Sequence, residues 1–200
     1  IKQGFITAWP LCLGYIPIGL AFGVLAQKAG LNPLQIGLMS LVVFAGSSQF
    51  IAISMLSSGA GLIPIITTTF MVNLRHLLMS SALSVHLRHT SKKFQALFAY
   101  GVTDESFAIN LSKFKYGDWD TMRALAVNHI ANLTWIIATV IGGYYGRFVP
   151  PEAFGIDYAL ISMFLFLKVS LLYAQYCRAY YHPQYLLCNS LICPGIGGYG

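Results

Sequence analysis

Three stretches of this chain, residues 3–27, 29–74 and 124–146, contain no Asp, Glu, Lys or Arg. A membrane-spanning helix needs ~20 predominantly apolar residues, so the middle stretch has room for two spans, or for one and much of another. Only 9% of the 200 residues are charged, against about 25% in a typical soluble domain. Mean hydropathy is +0.66. The expected fold class is therefore all-α, a polytopic integral membrane helical bundle. Several long apolar stretches rule out a lone cleavable signal peptide. The chain begins with Ile1 rather than Met, so its true start is expected upstream.

The net charge of +6 would raise nucleic-acid binding in a soluble protein. Here the basic residues sit in short loops such as RHTSKK (88–93), which suits loop charge at a membrane face. No basic face with interleaved aromatics is present, so no nucleic acid is expected as a partner. Cys12, Cys177, Cys188 and Cys193 have no zinc-type pairing, and His76 and His86 make no metal spacing. No HExxH, GxSxG, Walker loop or GxGxxG occurs, so neither catalytic residues, metal nor cofactor are expected.

The first segment, residues 5–27, contains Pro10, Gly14, Pro17 and Gly19. Proline removes a helix hydrogen bond and clashes with the preceding turn, so a kink or a break is expected here. The plainer alternative is a Pro-kinked helix packed closely through Gly19 and Gly23. The second segment, 34–57, carries GSSQF (46–50) at its middle, and Gly46 is a further break candidate. Irregular backbone at that depth survives only where it is buried in protein or lines a cavity. A third segment covers 62–87 and a fourth 94–112, interrupted by TDES (103–106). A fifth covers 124–146 and a sixth 158–173. Residues 1–173 thus read as one transporter-like domain of about five or six membrane segments. Residues 174–200 form an atypical tail, dense in Tyr and Cys, without a clean span.

Arg75 lies near the centre of the third segment, ~20 Å from either end at 1.5 Å per residue. An arginine at a helix centre costs about 2.5–3.5 kcal/mol on insertion scales, so it needs a partner. Asp104 and Glu105 are the acids available inside a segment. Being adjacent, they point about 100° apart, so one can pair with Arg75 while the other binds a cation or a proton. The alternatives are a purely structural ion pair, a helix that breaks early and brings Arg75 near water, and helix-terminal acids at a shallow depth. Thr69, Asn73, His76, Ser80 and Ser84 recur at helical spacing beside Arg75, which places the third helix inside a bundle rather than against lipid. Asn128, Asn132, Trp135 and Thr139 make a second polar stripe on the fifth segment, with His129 beside it. One buried cation, one or two buried anions and broken helices suit a small zwitterion. Its carboxylate would meet Arg75 or the backbone near Ser47 and Ser48, and its ammonium Asp104 or Glu105. An aliphatic amino acid fits, and composition alone does not select it over other small solutes.

Four stretches in series carry a family resemblance: PLCLGYIPIGLAFGVLAQKAGL (10–31), LMSLVVFAGSSQFIAI (38–53), TTTFMVNLRHLLMSSAL (67–83) and YGVTDESFAIN (100–110). In order and spacing they resemble the AzlC family, the large subunit of two-component branched-chain amino acid exporters, over roughly residues 4–167. The resemblance implies export of valine, leucine and isoleucine across the bacterial inner membrane, driven by protons, with a small AzlD-like membrane subunit as partner. Residues matching the family's polar motifs are Pro17, Gly19, Gly46, Ser47, Gln49, Asn73, Arg75, His76, Thr103, Asp104, Glu105 and Asn110. The sequence after Phe166 departs from the pattern and reads as a changed reading frame or a truncated gene. A channel, a transporter for another small solute and an intramembrane enzyme are the competing classes.

Basic residues flank 94–112 on both sides, so orientation turns on whether this segment crosses or returns. Asp104 and Glu105 in its middle favour a return. Thiol labelling of Thr90→Cys and Tyr116→Cys is then expected from one face of the membrane; labelling from opposite faces would show a full crossing.

Overall fold

The computed structural model describes residues 2–116 and 119–148. The sixth segment, the tail with Cys177, Cys188 and Cys193, and the boundary at 173 lie outside the described residues. Within them every regular element is a helix, and there are no strands. Helix α1 spans Lys2–Lys28, α2 Pro33–Val43, α3 Gly46–Ser57 and α4 Leu62–Ser84. Helix α5 spans Lys92–Tyr100, α6 Asp104–Tyr116 and α7 Thr121–Tyr145. Short 3-10 turns extend α4 to Leu87 and α7 to Phe148. Among the described residues three helices are long and apolar enough to cross a membrane: Gln3–Lys28, Leu62–Leu87 and Thr121–Phe148.

The break expected in the first segment does not occur. Helix α1 is continuous through Pro10, Gly14, Pro17 and Gly19. Its most extensive partner is α7, and the two meet along a seam of small residues. A Cβ at Gly19 would lie 2.8 Å from Ala138 Cβ, and one at Gly142 would lie 2.9 Å from Leu20 Cα. Close backbone approach of this kind replaces hydrophobic driving force in lipid, where helices gain mainly from packing. The packing reading of Gly19 and Gly23 is therefore the one realised, and α1 tolerates its prolines as a packed helix does.

The second segment does break. Asn32 starts α2 with a reciprocal cap, Asn32 Oδ1 accepting from Gln35 N and Gln35 Oε1 from Asn32 N, both at 2.9 Å. Pro33 at the first helical position suits this start. Helix α2 ends at Phe44, which adopts the left-handed region at φ 35°. That conformation costs a residue with a Cβ roughly 1–2 kcal/mol. Ala45 is extended and α3 begins at Gly46, whose hydrogen faces the Trp135 ring; a Cβ there would lie 3.2 Å from it. The fourth segment divides likewise. Helix α5 ends at Gly101, pressed on Asn128 of α7, and α6 opens with Asp104 and Glu105.

Helix α4 corrects a second expectation. It lies at the edge of the described bundle rather than inside it, with Leu83 its one buried residue. Ile63, Ile66, Phe70, Leu77 and Leu78 are largely exposed. Atoms of Thr69, Asn73, Arg75 and His76 are instead shut off from solvent. The long Arg75 and His76 side chains reach inward although their Cα atoms point apart, so one face suffices for the polar set. The arrangement is that of a lipid-facing helix, apolar outward and polar inward.

Gly23 is the tightest point of the seam, hard against backbone atoms of Thr139, Gly142 and Gly143. Gly23→Ala is expected to force α1 off α7 and cost about 1–3 kcal/mol. At Gly14 an added Cβ meets nothing within 4 Å. Gly14→Ala is expected to be neutral or to add about 0.4–1 kcal/mol. Thermal unfolding in detergent compares the two; equal behaviour would refute a close-packed seam.

Candidate functional site

The two breaks bring two half-helix starts to one arginine. Arg75 Nη1 donates to Asp104 Oδ2 at 2.7 Å, and Nη2 donates to Ser47 Oγ. Asp104 is the first residue of α6 and Ser47 the second of α3. A helix start carries partial positive charge, which favours acids there. Helix α6 meets that rule with two acids in its first turn. Helix α3 has no acid in its first turn, and Ala45 supplies no side-chain cap. Its first N–H groups therefore remain available to an anion.

Helix α6 is otherwise well capped. Ser106 Oγ accepts from Thr103 N at 2.9 Å, and Thr103 Oγ1 accepts from Ser106 N at 3.3 Å. Tyr15 of α1 joins the cluster: its hydroxyl lies 2.7 Å from Glu105 Oε2 and 2.9 Å from Thr103 Oγ1. His76 Nδ1 lies 2.9 Å from the Val102 carbonyl oxygen. A carbonyl only accepts, so Nδ1 carries a hydrogen and donates. Four atoms on α4, Thr69 Oγ1, Asn73 Oδ1, Arg75 Nε and His76 Nε2, are shut off from solvent without a partner among the described residues. Buried polar atoms are normally paired, so a stripe of unpaired ones marks a place where a polar ligand can bond.

The remaining candidates fall into two clasps. In the first, Trp135 Nε1 donates to Gln49 Oε1 at 2.9 Å and Gln49 Nε2 donates to Ser40 Oγ at 3.1 Å. Thr139 donates to the Ile136 carbonyl at 2.9 Å, so Ser40, 2.8 Å away, donates to Thr139. In the second, Trp119 Nε1 donates to Asn110 Oδ1 at 3.1 Å. Asn110 Nδ2 donates to Asn128 Oδ1 at 2.9 Å, and Asn128 Nδ2 donates to the Phe98 carbonyl at 3.2 Å. Gln49, Asn110 and Asn128 are fully buried and spend their hydrogen bonds holding the breaks. Ser48 donates to the Ala45 carbonyl at 3.0 Å inside the first break. Asn132 reaches Tyr100 Oη at 3.4 Å, and Tyr100 donates to the Leu41 carbonyl near the end of α2.

The structure thus gathers Arg75, Asp104, Ser47, Glu105, Thr103 and His76 and sets Gln49, Ser48, Asn110, Asn128 and Asn132 apart as supports. Tyr15, Ser40 and Tyr100 escaped sequence reasoning. Their signal was weak, since a lone hydroxyl in an apolar helix has no charge or spacing to mark it. Among the described residues no group of His, Cys, Asp or Glu could hold a metal ion.

The family model described as AzlC protein matches residues 10–149. The inner membrane protein YgaZ of Escherichia coli K12 is 30% identical over 179 residues, covering 88% of this chain and 73% of that protein. The branched-chain amino acid transport protein AzlC of Bacillus subtilis 168 is 28% identical over 168 residues, covering 82% of this chain and 65% of that protein. An uncharacterized membrane protein of Archaeoglobus fulgidus is 35% identical over 111 residues, covering 56% of this chain and 48% of that protein. No solved structure matches the chain.

If Arg75 and Asp104 act as a pair, their truncations are not additive. In a cycle of Arg75→Ala, Asp104→Ala and the double variant, a coupling of about 0.5–3 kcal/mol is expected from unfolding in detergent. Strict additivity would show the pair to be energetically idle.

Proposed function

Since the chain belongs to the AzlC protein family, we propose that it exports branched-chain amino acids across a bacterial inner membrane, driven by protons, together with a small membrane subunit. The Bacillus relative, a branched-chain amino acid transport protein, supports the substrate class. The observation that carries the reading is Arg75 bridging the starts of two broken segments.

A zwitterion carries the same two charges as the Arg75–Asp104 pair. Entering between them, its carboxylate takes the Arg75 fork, displacing Ser47 and Asp104. Its ammonium takes the carboxylate of Asp104. No charge is left uncompensated at membrane depth, which is the condition for such a step to be cheap. The free N–H groups at the start of α3 add a second contact for the carboxylate. Thr69, Asn73 and His76 line the same stripe of α4 and offer unpaired atoms to the solute's polar end.

Valine efflux from preloaded cells tests this, with and without the partner subunit and a proton uncoupler. Expression is expected to speed efflux and the uncoupler to abolish the difference. Arg75→Lys keeps the charge but loses the two-pronged geometry. Loss of one charged hydrogen bond, about 1.5–3 kcal/mol, lowers substrate affinity by roughly tenfold or more. Identical efflux from expressing and empty cells would refute the proposal.

A further inference from the structure

The two adjacent acids at the start of α6 have unlike partners. Asp104 is bound to a guanidinium, 2.7 Å from Arg75 Nη1. Glu105 is bound to a phenol, 2.7 Å from Tyr15 Oη, and among the described residues no ion pair reaches it. We propose that Glu105 is the carboxylate that takes up and releases the coupling proton, with Tyr15 as its positioning residue. The inference rests on the transport reading above and divides the roles of the two acids within it.

Hydrogen bookkeeping carries the argument. Tyr15 has one hydroxyl hydrogen and two oxygens in reach, Glu105 Oε2 and Thr103 Oγ1 at 2.9 Å. With Glu105 ionised, Tyr15 donates to the carboxylate and Thr103 donates its own hydrogen to Tyr15. When water delivers a proton to Glu105, the new O–H donates to the Tyr15 oxygen, and Tyr15 turns its hydrogen to Thr103. Only the Glu105 O–H bond forms, and it breaks again when the proton leaves to water. Both states keep Glu105 and Tyr15 hydrogen-bonded to each other, and protonation asks only that the Thr103 hydrogen turn away from Tyr15. Tyr15 and Thr103 are buried, while Glu105 is partly exposed, so of the three the acid is the group open to its surroundings.

Asp104 cannot serve in the same way. Protonating it would leave Arg75 uncompensated near mid-helix, the costly outcome for a charge in this position. The charged and titratable groups around Glu105 are Tyr15 on α1, His76 on α4 and the adjacent Asp104 on α6, whose own partner is Arg75. Helix α7 has no Asp, Glu, Lys or Arg between residues 124 and 145, and its His129 stacks on Tyr100.

Difference infrared spectroscopy on the full chain in lipid vesicles, between acid and alkaline buffers, reads the carbonyl stretch of a protonated carboxylic acid. The titrating band is expected in wild type and Asp104→Asn and absent from Glu105→Gln. In Tyr15→Phe its midpoint is expected to shift. A band that survives Glu105→Gln, or no band in wild type, would overturn the assignment. In vesicles that also hold the small partner subunit, a pH gradient is expected to drive valine flux in wild type and not in Glu105→Gln; gradient-driven flux in the variant would also overturn it. A Glu105-dependent band in wild type without valine flux would refute the substrate reading and uphold the proton site.

Discussion

A guanidinium at the centre of a membrane helix has to be met by something fixed, and here it is met by the starts of two other helices. Arg75 holds Asp104 with one prong and Ser47 with the other. That requirement explains why two of the segments are not single helices. An unbroken helix offers no free N–H groups and no first-turn acids at mid-depth. Breaking 33–57 and 92–116 places a helix start beside the arginine from each. The left-handed Phe44 is the local cost of that arrangement.

Breaks at that depth need support, and α7 provides it twice. Gly46 presses on Trp135, and Gly101 on Asn128 two turns away on the same helix. At each break an amide side chain, Gln49 or Asn110, is bonded to a partner on α7. Tyr100 ties the end of α5 to a carbonyl near the end of α2 that the break leaves without a helical partner. Helix α1 then covers α7 through the glycine seam. The support is a polar network inside an apolar sleeve, which is how irregular backbone is accommodated away from water.

Charge was legible in the sequence and hydroxyl chemistry was not. Arg75, Asp104 and Glu105 stood out because each interrupts a long uncharged context, and the requirement for a partner pointed from one to the others. The break at Gly46 was marked by four small or polar residues in a row. The prolines of α1 gave the same kind of signal and misled. A proline removes one hydrogen bond, which a packed helix tolerates, whereas GSSQ places several polar groups at one depth. The stripe Asn128, Asn132, Trp135, Thr139 was visible on α7, but its use as a clasp was not. Spacing shows which side chains share a face, not whether a partner already consumes their hydrogen bonds. Tyr15 and Ser40 were missed because their partners lie far along the chain.

The ion pair also imposes an order on biogenesis. Arg75 leaves the ribosome before Asp104 does, and chain growth at ~5–20 residues per second leaves an interval of seconds between them. During that interval α4 faces the membrane with its cation unmatched. Its apolar outer face favours insertion while the arginine opposes it. The third segment therefore depends for its counter-charge on a fourth that is made after it.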